Sequence, residues 1–466
     1  MTRVAAGSND SNLTARIAAY AAAACSTPLA EDVAHKAQHH LLDTIAAMVS
    51  GSTLPAGVAA RKFAGETAGR PVASVVMSGL RTNSVDAALA NAMAAHADET
   101  DDAHPASITH PGCAVVPAAL AAAEAVGASG AQFLRAVALG YDICARFGIA
   151  VGAGQFLTER GFDPHAFGGV FGAAAAAGAL ATPDPTKMTH VFSYAAQQAS
   201  GLATLFRDRE HIEKAFVFAG MPARNGVAAA MMVRSGMPGV ADVFDGDPSF
   251  LSAFGIDREK AALFDDLGQT FEITHTNIKR WSVGSPVQAA LDSLEAMISE
   301  HGVRARDVAS VTIHLPSEGA QVVNDRKMPS VNAQHLAALM LVDGTIGFIS
   351  SHDEVRMRDP DVFALRQRVT LSAHEELSRT AVSRQAIVDL HLHDGRKLSH
   401  RTHAVRGTVK NPMSRPEVEA KALDLMQPLL GAEAARRGVD MIWNIESAAS
   451  LAPLAALIGE ASKQKI

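Results

Sequence analysis

Residues 169–180 read GVFGAAAAAGAL, a run in which alanine and glycine fill almost every position. Side chains this small leave little to hold two helices apart, so the segment predicts a helix that its neighbours approach closely. Working outward, Ala-rich segments with helical spacing recur from Pro117 to Val126, Ala131 to Phe147 and Gly226 to Ser235. Pro117 is read as a first-turn proline, and Gly127, Gly130 and Gly236 as helix ends. One strand-like piece, Val72 to Met77, interrupts a first half that otherwise reads as a compact helical assembly.

The pattern changes after about Asp266. Val311, Ile313 and Leu315 alternate with Ser310, Thr312 and His314, the period of a half-buried strand. Val388, Leu390 and Leu392 repeat that pattern, and Asp394-Gly395 marks a tight turn before a further strand from Arg396 to His403. Ser285 to His301 and Ala333 to Val342 read as helices, as do Arg415 to Gly431 and Trp443 to Ser462. The expected fold class is α plus α+β. A large helical domain (1–265 and 405–466) has a smaller α+β domain (266–404) inserted before a C-terminal helical return.

With 466 residues, 48% of them hydrophobic, the chain can bury a sizeable core without disulfides. A net charge of −7, the lack of a Lys/Arg run and only 5% aromatic residues argue against a nucleic-acid partner. Cys25, Cys113 and Cys144 form no Cys-x-x-Cys pair, which points to a reducing, cytoplasmic setting and no cysteine-based metal site. No stretch reaches the roughly 18–20 strongly apolar residues of a membrane span, so no membrane partner is expected. The apolar stretch Ile17 to Cys25 follows Arg3 but is interrupted by the polar Asn9 to Asn12, and it reads as a capped first helix. The sequon at Asn12 reads as a chance match.

Several segments could carry chemistry. His96-Ala-Asp98-Glu99-Thr-Asp101-Asp102-Ala-His104-Pro105, followed by His110-Pro111-Gly112, gathers three histidines and four carboxylates within 15 residues. Its prolines and glycine place it in a loop between helices, where side chains can converge. An acid/base cluster, a divalent-metal site and a plain polar loop are the readings open at this point. Gly161-Phe162-Asp163-Pro164-His165 leads into Gly168-Gly169 and a helix, a turn that could cradle an anion or simply let helices pack tightly. Arg207-Asp208-Arg209-Glu210-His211 with Lys214, and Lys279-Arg280 after His275, group cations that suit a substrate with several carboxylates, or a solvated face. Dinucleotide, P-loop, nucleophile-elbow, zinc-protease and kinase motifs are absent from the sequence. Cofactor-free acid/base chemistry on a polycarboxylate is the class that remains.

These segments, in this order, resemble the MmgE/PrpD family, which includes 2-methylcitrate dehydratase and cis-aconitate decarboxylase. The resemblance spans nearly the whole chain. It rests on His96 to Asp102 with His110-Pro111, Gly161-Phe162-x-Pro164, Arg224-Asn225-Gly226, Lys279-Arg280 and Asn411-Pro412-Met413-Ser414. It implies a large helical domain, a smaller α+β lid domain, a homodimer, and a cofactor-free active site between the domains with no metal.

The departures are informative. The family pattern His-x-x-Asp-Phe-Asp-Asp-Thr here has Glu99 at the first Asp place and Ala103 at the Thr place. Asp163 replaces a histidine, with His165 two residues on, and Trp281-Ser-Val-Gly284 follows the Lys-Arg pair. Lys214 fits the family's substrate lysine with one residue inserted before Gly220. Several proton-handling groups are therefore changed, while the means to hold a polycarboxylate and move a proton beside a carboxylate persist. That points to the family's isomerase chemistry, the epimerisation of iminodisuccinate, with dehydration or decarboxylation of a citrate-like acid as the alternative. A non-catalytic polycarboxylate-binding homologue is the reading from another class.

Inverting a carbon needs two groups flanking it. By resemblance, one comes from His104 or His110 and the other from Lys279 or Asp163, with Glu99 in the same proton-handling set. Lys214, Arg280 and Arg209 would hold substrate carboxylates, aided by Asp101 and His165.

Overall fold

The computed structural model describes residues 12–379 and 384–460. Arg3, Asn9 to Ser11 and Ser462, which enter the sequence reading of the two termini, lie outside these residues. The chain forms two compact units, one of residues 1–97, 102–276 and 425–466, the other of residues 98–101 and 277–424. The sequence reading drew the divisions at 265/266 and 404/405.

In the first unit the helix Pro164–Ala181 is central. Helices Pro111–Val126, Gly130–Ala150, Pro185–Gln197 and Met221–Arg234 all pack on it. The Ala/Gly composition explains the closeness: a Cβ at Gly172 would lie 2.6 Å from both the Cys144 Cβ and the Gly140 carbonyl oxygen. Phenylalanines fill the other side of the helix, with Phe147 stacked on Phe171 at 4.1 Å and Phe244 and Phe250 set mostly edge-on around them. A two-stranded ladder pairs β1 (Ala73–Ser74) with β2 (Arg81–Thr82), shorter than the strand expected at 72–77.

Several local expectations are corrected. Pro117 lies inside the helix that begins at Pro111, not in its first turn. Gly127 does end that helix in the left-handed region (φ 70°). Gly130 instead opens the next helix behind a Ser129/Gln132 capping box, where Ile445 O leaves no room for a Cβ. The first helix, Leu13–Ala24, is not capped by the Asn12 side chain; Asp245, 232 residues later in the chain, accepts from Leu13 N and Thr14 N at 3.1 Å each. Trp443 ends a helix, Ala432–Trp443, and Ala452–Gly459 follows separately. By length and composition two helices, Pro164–Ala181 and Ile212–Arg234, could cross a membrane, contrary to the sequence reading. Within the protein 94% and 67% of their apolar windows are buried.

The second unit is built on a four-stranded sheet of β3 (Val308–Leu315), β4 (Val369–Ala373), β5 (Ala386–Leu392) and β6 (Lys397–Thr402), ordered β4-β3-β5-β6. β3 and β4 run parallel and the other pairs antiparallel, with Ile313 opposite Val388 and Leu390 opposite Leu398. Helices Gln288–His301 and Ala333–Asp343 bury their apolar faces with Val311, Ile313, Leu315, Val388 and Leu390. β4 was not foreseen. Its exposed and half-buried Thr370, Leu371 and Ser372 blur the two-residue period that marked β3 and β5.

Candidate functional site

In the first unit the histidine loop is anchored by a buried carboxylate. Asp102 Oδ1 accepts from Gly112 N at 3.1 Å, and Oδ2 accepts from Tyr141 Oη at 2.6 Å and pairs with His40 Nδ1 at 2.8 Å. These bonds tie the loop to two long helices and to the first turn of the helix that follows His110. Burial, reinforced by the neighbouring Asp102 charge, pushes the Tyr141 phenol well up, so it stays a donor.

His110 sits at the N-cap of that helix and joins a row of imidazoles. Ring centroids lie 5.1 Å apart for His165–His110, 5.2 Å for His110–His96 and 5.2 Å for His96–His211. Phe218 is the hub of this row. His165 stacks on it at 3.6 Å, His96 stacks at 4.8 Å, and the Lys214 ammonium lies 5.0 Å from its centroid. Phe218 belongs to a π-helical turn, Phe216–Gly220, a local widening often found where helices carry function.

Two carboxylates position the row. Asp163, fully buried, accepts from His165 N at 2.9 Å and pairs with His165 Nδ1 at 3.0 Å. It caps the helix and aims the ring, which supersedes the anion cradle: its Oδ1 takes the first helical amides, and Gly168 and Gly169 are filled against Cys144 O and Pro222. Asp208 accepts from Glu210 N at 2.9 Å and Lys214 N at 3.0 Å. Burial raises its pKa, but these amide bonds and the nearby His211 leave the carboxyl below its usual range. The loop it closes holds His211 at φ 58°, a left-handed conformation costing a non-glycine residue on the order of 1–3 kcal/mol.

His104 lies in a different network. Its Nδ1 accepts from Ser107 N at 3.2 Å, leaving Nε2–H to donate to Glu272 Oε2 at 3.0 Å. His275 Nδ1 reaches the same oxygen at 3.2 Å. Arg209 is exposed on its loop.

In the second unit Lys279, 4% exposed, donates to Glu99 O at 2.6 Å and lies 3.7 Å from the fully buried Asp101 Oδ1. The Glu99 carboxylate is 4.0 Å from the same ammonium. Asp98 pairs with His352 at 2.8 Å. Burial opposes both charges, yet the pairing prevails, lowering the Asp98 carboxyl and raising the imidazole. Lys421 Nζ donates to Thr100 O at 3.0 Å. Arg280, expected to bind substrate, gives both guanidinium arms to Glu295 at 2.5 Å and stacks on Trp281, so a substrate carboxylate would have to displace that pair.

Of the sequence-named residues, the structure thus gathers His110, His165, Asp163 and Lys214 in the first unit, and Lys279, Glu99 and Asp101 in the second. His96, His211 and Phe218 were not assigned roles. The signal for His211 was its place three residues before Lys214, about one helical turn; nothing local marks Phe218. His96 also offers a ligand atom within 4.8 Å of one of His211 and, in a separate grouping, one within 4.8 Å of Cys113 Sγ, donor types that divalent ions also take.

The fold and this row define an enzyme-like class: a mostly helical protein with a small mixed-sheet unit and side chains suited to proton transfer. The chain belongs to the MmgE/PrpD family, whose N-terminal domain matches residues 15–262 and whose C-terminal domain matches residues 281–447. It is 25% identical over 96% of its length to a cis-aconitate decarboxylase-like protein, oryM, of Aspergillus oryzae, covering 98% of that protein. It is likewise 25% identical to a cis-aconitate decarboxylase of Aspergillus terreus, with 98% of each chain covered.

Proposed function

We propose that this chain is a cofactor-independent acid/base enzyme that moves a proton at a carbon beside a carboxylate of a di- to tetracarboxylate. The observation that carries the reading is the row of four imidazoles, three of them (His96, His110 and His165) against Phe218, with the Lys214 ammonium beside that ring. Lys214 offers charge for a substrate carboxylate and for the enolate-like charge that develops when the proton leaves. His110, partly exposed at its helix start, is the proton-handling group of the row, aided by His165 in its fixed orientation. Lys279, shielded and flanked by Asp101, is the second proton-handling group, with Glu99 beside it. Arg209 and Arg280 remain carboxylate-binding proposals, and His104 and Asp163 positioning ones.

Within that chemistry the favoured reaction is epimerisation of the iminodisuccinate type. A proton is taken from carbon, its bonding pair is held as the enolate, and a proton returns on the opposite face. The second reading is a lyase acting on a citrate-like acid, supported by the decarboxylase names of the relatives. The remaining alternative is binding without turnover. A homodimer and a cytoplasmic setting belong to the same proposal; the three cysteines, all buried and none in a disulfide, suit a reducing compartment.

Proton NMR in D₂O with iminodisuccinate isomers, citrate, 2-methylcitrate and cis-aconitate tests these readings together. Loss of an α-proton signal with a new stereoisomer and no alkene is expected. An alkene or released CO₂ moves the protein to the lyase reading, and tight binding without turnover to the binding one. His110→Ala and Lys279→Ala are each expected to lower turnover by about 10²–10⁴-fold; near-normal rates in both sink the assignment. Metal analysis of the purified protein, with turnover after chelation, decides between protons and a metal at His96.

A further inference from the structure

We propose that the first unit carries a second ligand site, for a small, mainly apolar molecule bearing one carboxylate. The site is a cavity of about 540 Å³ where the end of helix Leu13–Ala24, the start of helix Glu31–Gly51, helix Gly130–Ala150 and residues 268–275 meet. That volume lies within the roughly 300–1,000 Å³ of small-molecule sites. Every wall belongs to the first unit, and no imidazole of the histidine row lines it.

Ala23, Ala24, Leu29, Leu139 and Phe271 give the walls apolar surface, and the Tyr20 ring lies 6.5 Å from that of Phe271. Most polar groups of the lining are committed elsewhere. Tyr20 Oη donates to Asp142 at 3.1 Å, His275 Nδ1 meets Glu272 at 3.2 Å, and the Thr27 and Thr274 hydroxyls donate to backbone carbonyls.

Arg135 differs. Its Nη1 donates to Cys25 O at 3.1 Å, at the end of the first helix, but its buried Nε meets no acceptor and no carboxylate of the described residues pairs with it. A half-buried guanidinium beside apolar surface, with donors to spare, recognises a carboxylate. Asp32, exposed at the start of helix Glu31–Gly51, is the carboxylate of the same lining. It repels a second or third carboxylate, so the site selects a monocarboxylate with an apolar body over a citrate-like acid.

The probe is octanoate, followed by isothermal titration calorimetry and saturation-transfer NMR. The wild-type protein is expected to bind it at one site, and citrate should not displace it. Arg135→Gln removes the charge yet keeps an N–H for Cys25 O, and should weaken binding about 10–100-fold, the range for a hydrogen bond to a charged group. Asp32→Asn removes a like charge and should bind up to about fivefold more tightly. Ala23→Phe puts a ring into the cavity from an exposed helix position, and it should abolish binding whether or not Arg135→Gln folds. Absence of wild-type binding, displacement by citrate, or wild-type affinity in Ala23→Phe overturns the site. Wild-type affinity in a folded Arg135→Gln overturns its recognition of a carboxylate, and weaker binding to Asp32→Asn overturns the selection against polycarboxylates.

Discussion

His104 has both ring nitrogens engaged, Nδ1 by the Ser107 amide and Nε2 by Glu272. Its candidacy arose from residue type in a histidine-rich loop, and its partner comes from 168 residues away, beyond any local pattern. The bond from His104, joined by that from His275, holds the Glu272 carboxyl down at about 2 against an ordinary 4.5, although burial pulls the other way. A depressed carboxylate pKa stabilises the fold above the unfolded value and ceases to do so as pH falls through the folded one. Glu272→Gln should therefore lose about 1.5–3 kcal/mol at pH 7, as for a hydrogen bond to a charged group. Urea unfolding at several pH values should show the gap to wild type closing from pH 4.5 down toward 2. A gap independent of pH would refute the pairing. Asp163 illustrates the same limit of residue type: proposed for proton transfer, it is committed to capping a helix and aiming His165.

The helices succeed through glycine and alanine as much as through apolar periodicity. Gly140 and Gly172 face each other where helices Gly130–Ala150 and Pro164–Ala181 cross, and the nearest atoms a Cβ would meet at Gly172 are the Gly140 carbonyl oxygen and the buried Cys144 Cβ, with Val115 next. Gly172→Ala should cost about 1–3 kcal/mol by overpacking, with Tm falling accordingly. Gly127→Ala meets nothing within 4 Å and loses only from its φ of 70°, so it should cost about 1 kcal/mol. Equal melting temperatures for Gly172→Ala and wild type would contradict the close crossing. The Ala-rich helices were legible because their composition itself declares the crossing. Their starts were less so, since Pro117 and Gly130 have meanings that depend on where the preceding loop lets the helix begin.

For the molecule as a whole, the proposed homodimer predicts a light-scattering mass near twice 48.6 kDa on size exclusion; a mass of one chain would overturn it. The sequence by itself determined the helical first half, the strands from Ser310 and Val388, and the histidine and lysine segments, because period and small-residue composition act over a few neighbours. Only the tertiary structure decided that Asp245 caps the first helix, that Arg280 is taken by Glu295, and that residues 98–101 join the second unit. It likewise decided that His165, His110, His96 and His211 form one row, the first three against Phe218. These are contacts between residues far apart in the chain. Their partners are chosen by packing and by the need to satisfy buried charge, and no local pattern records that choice.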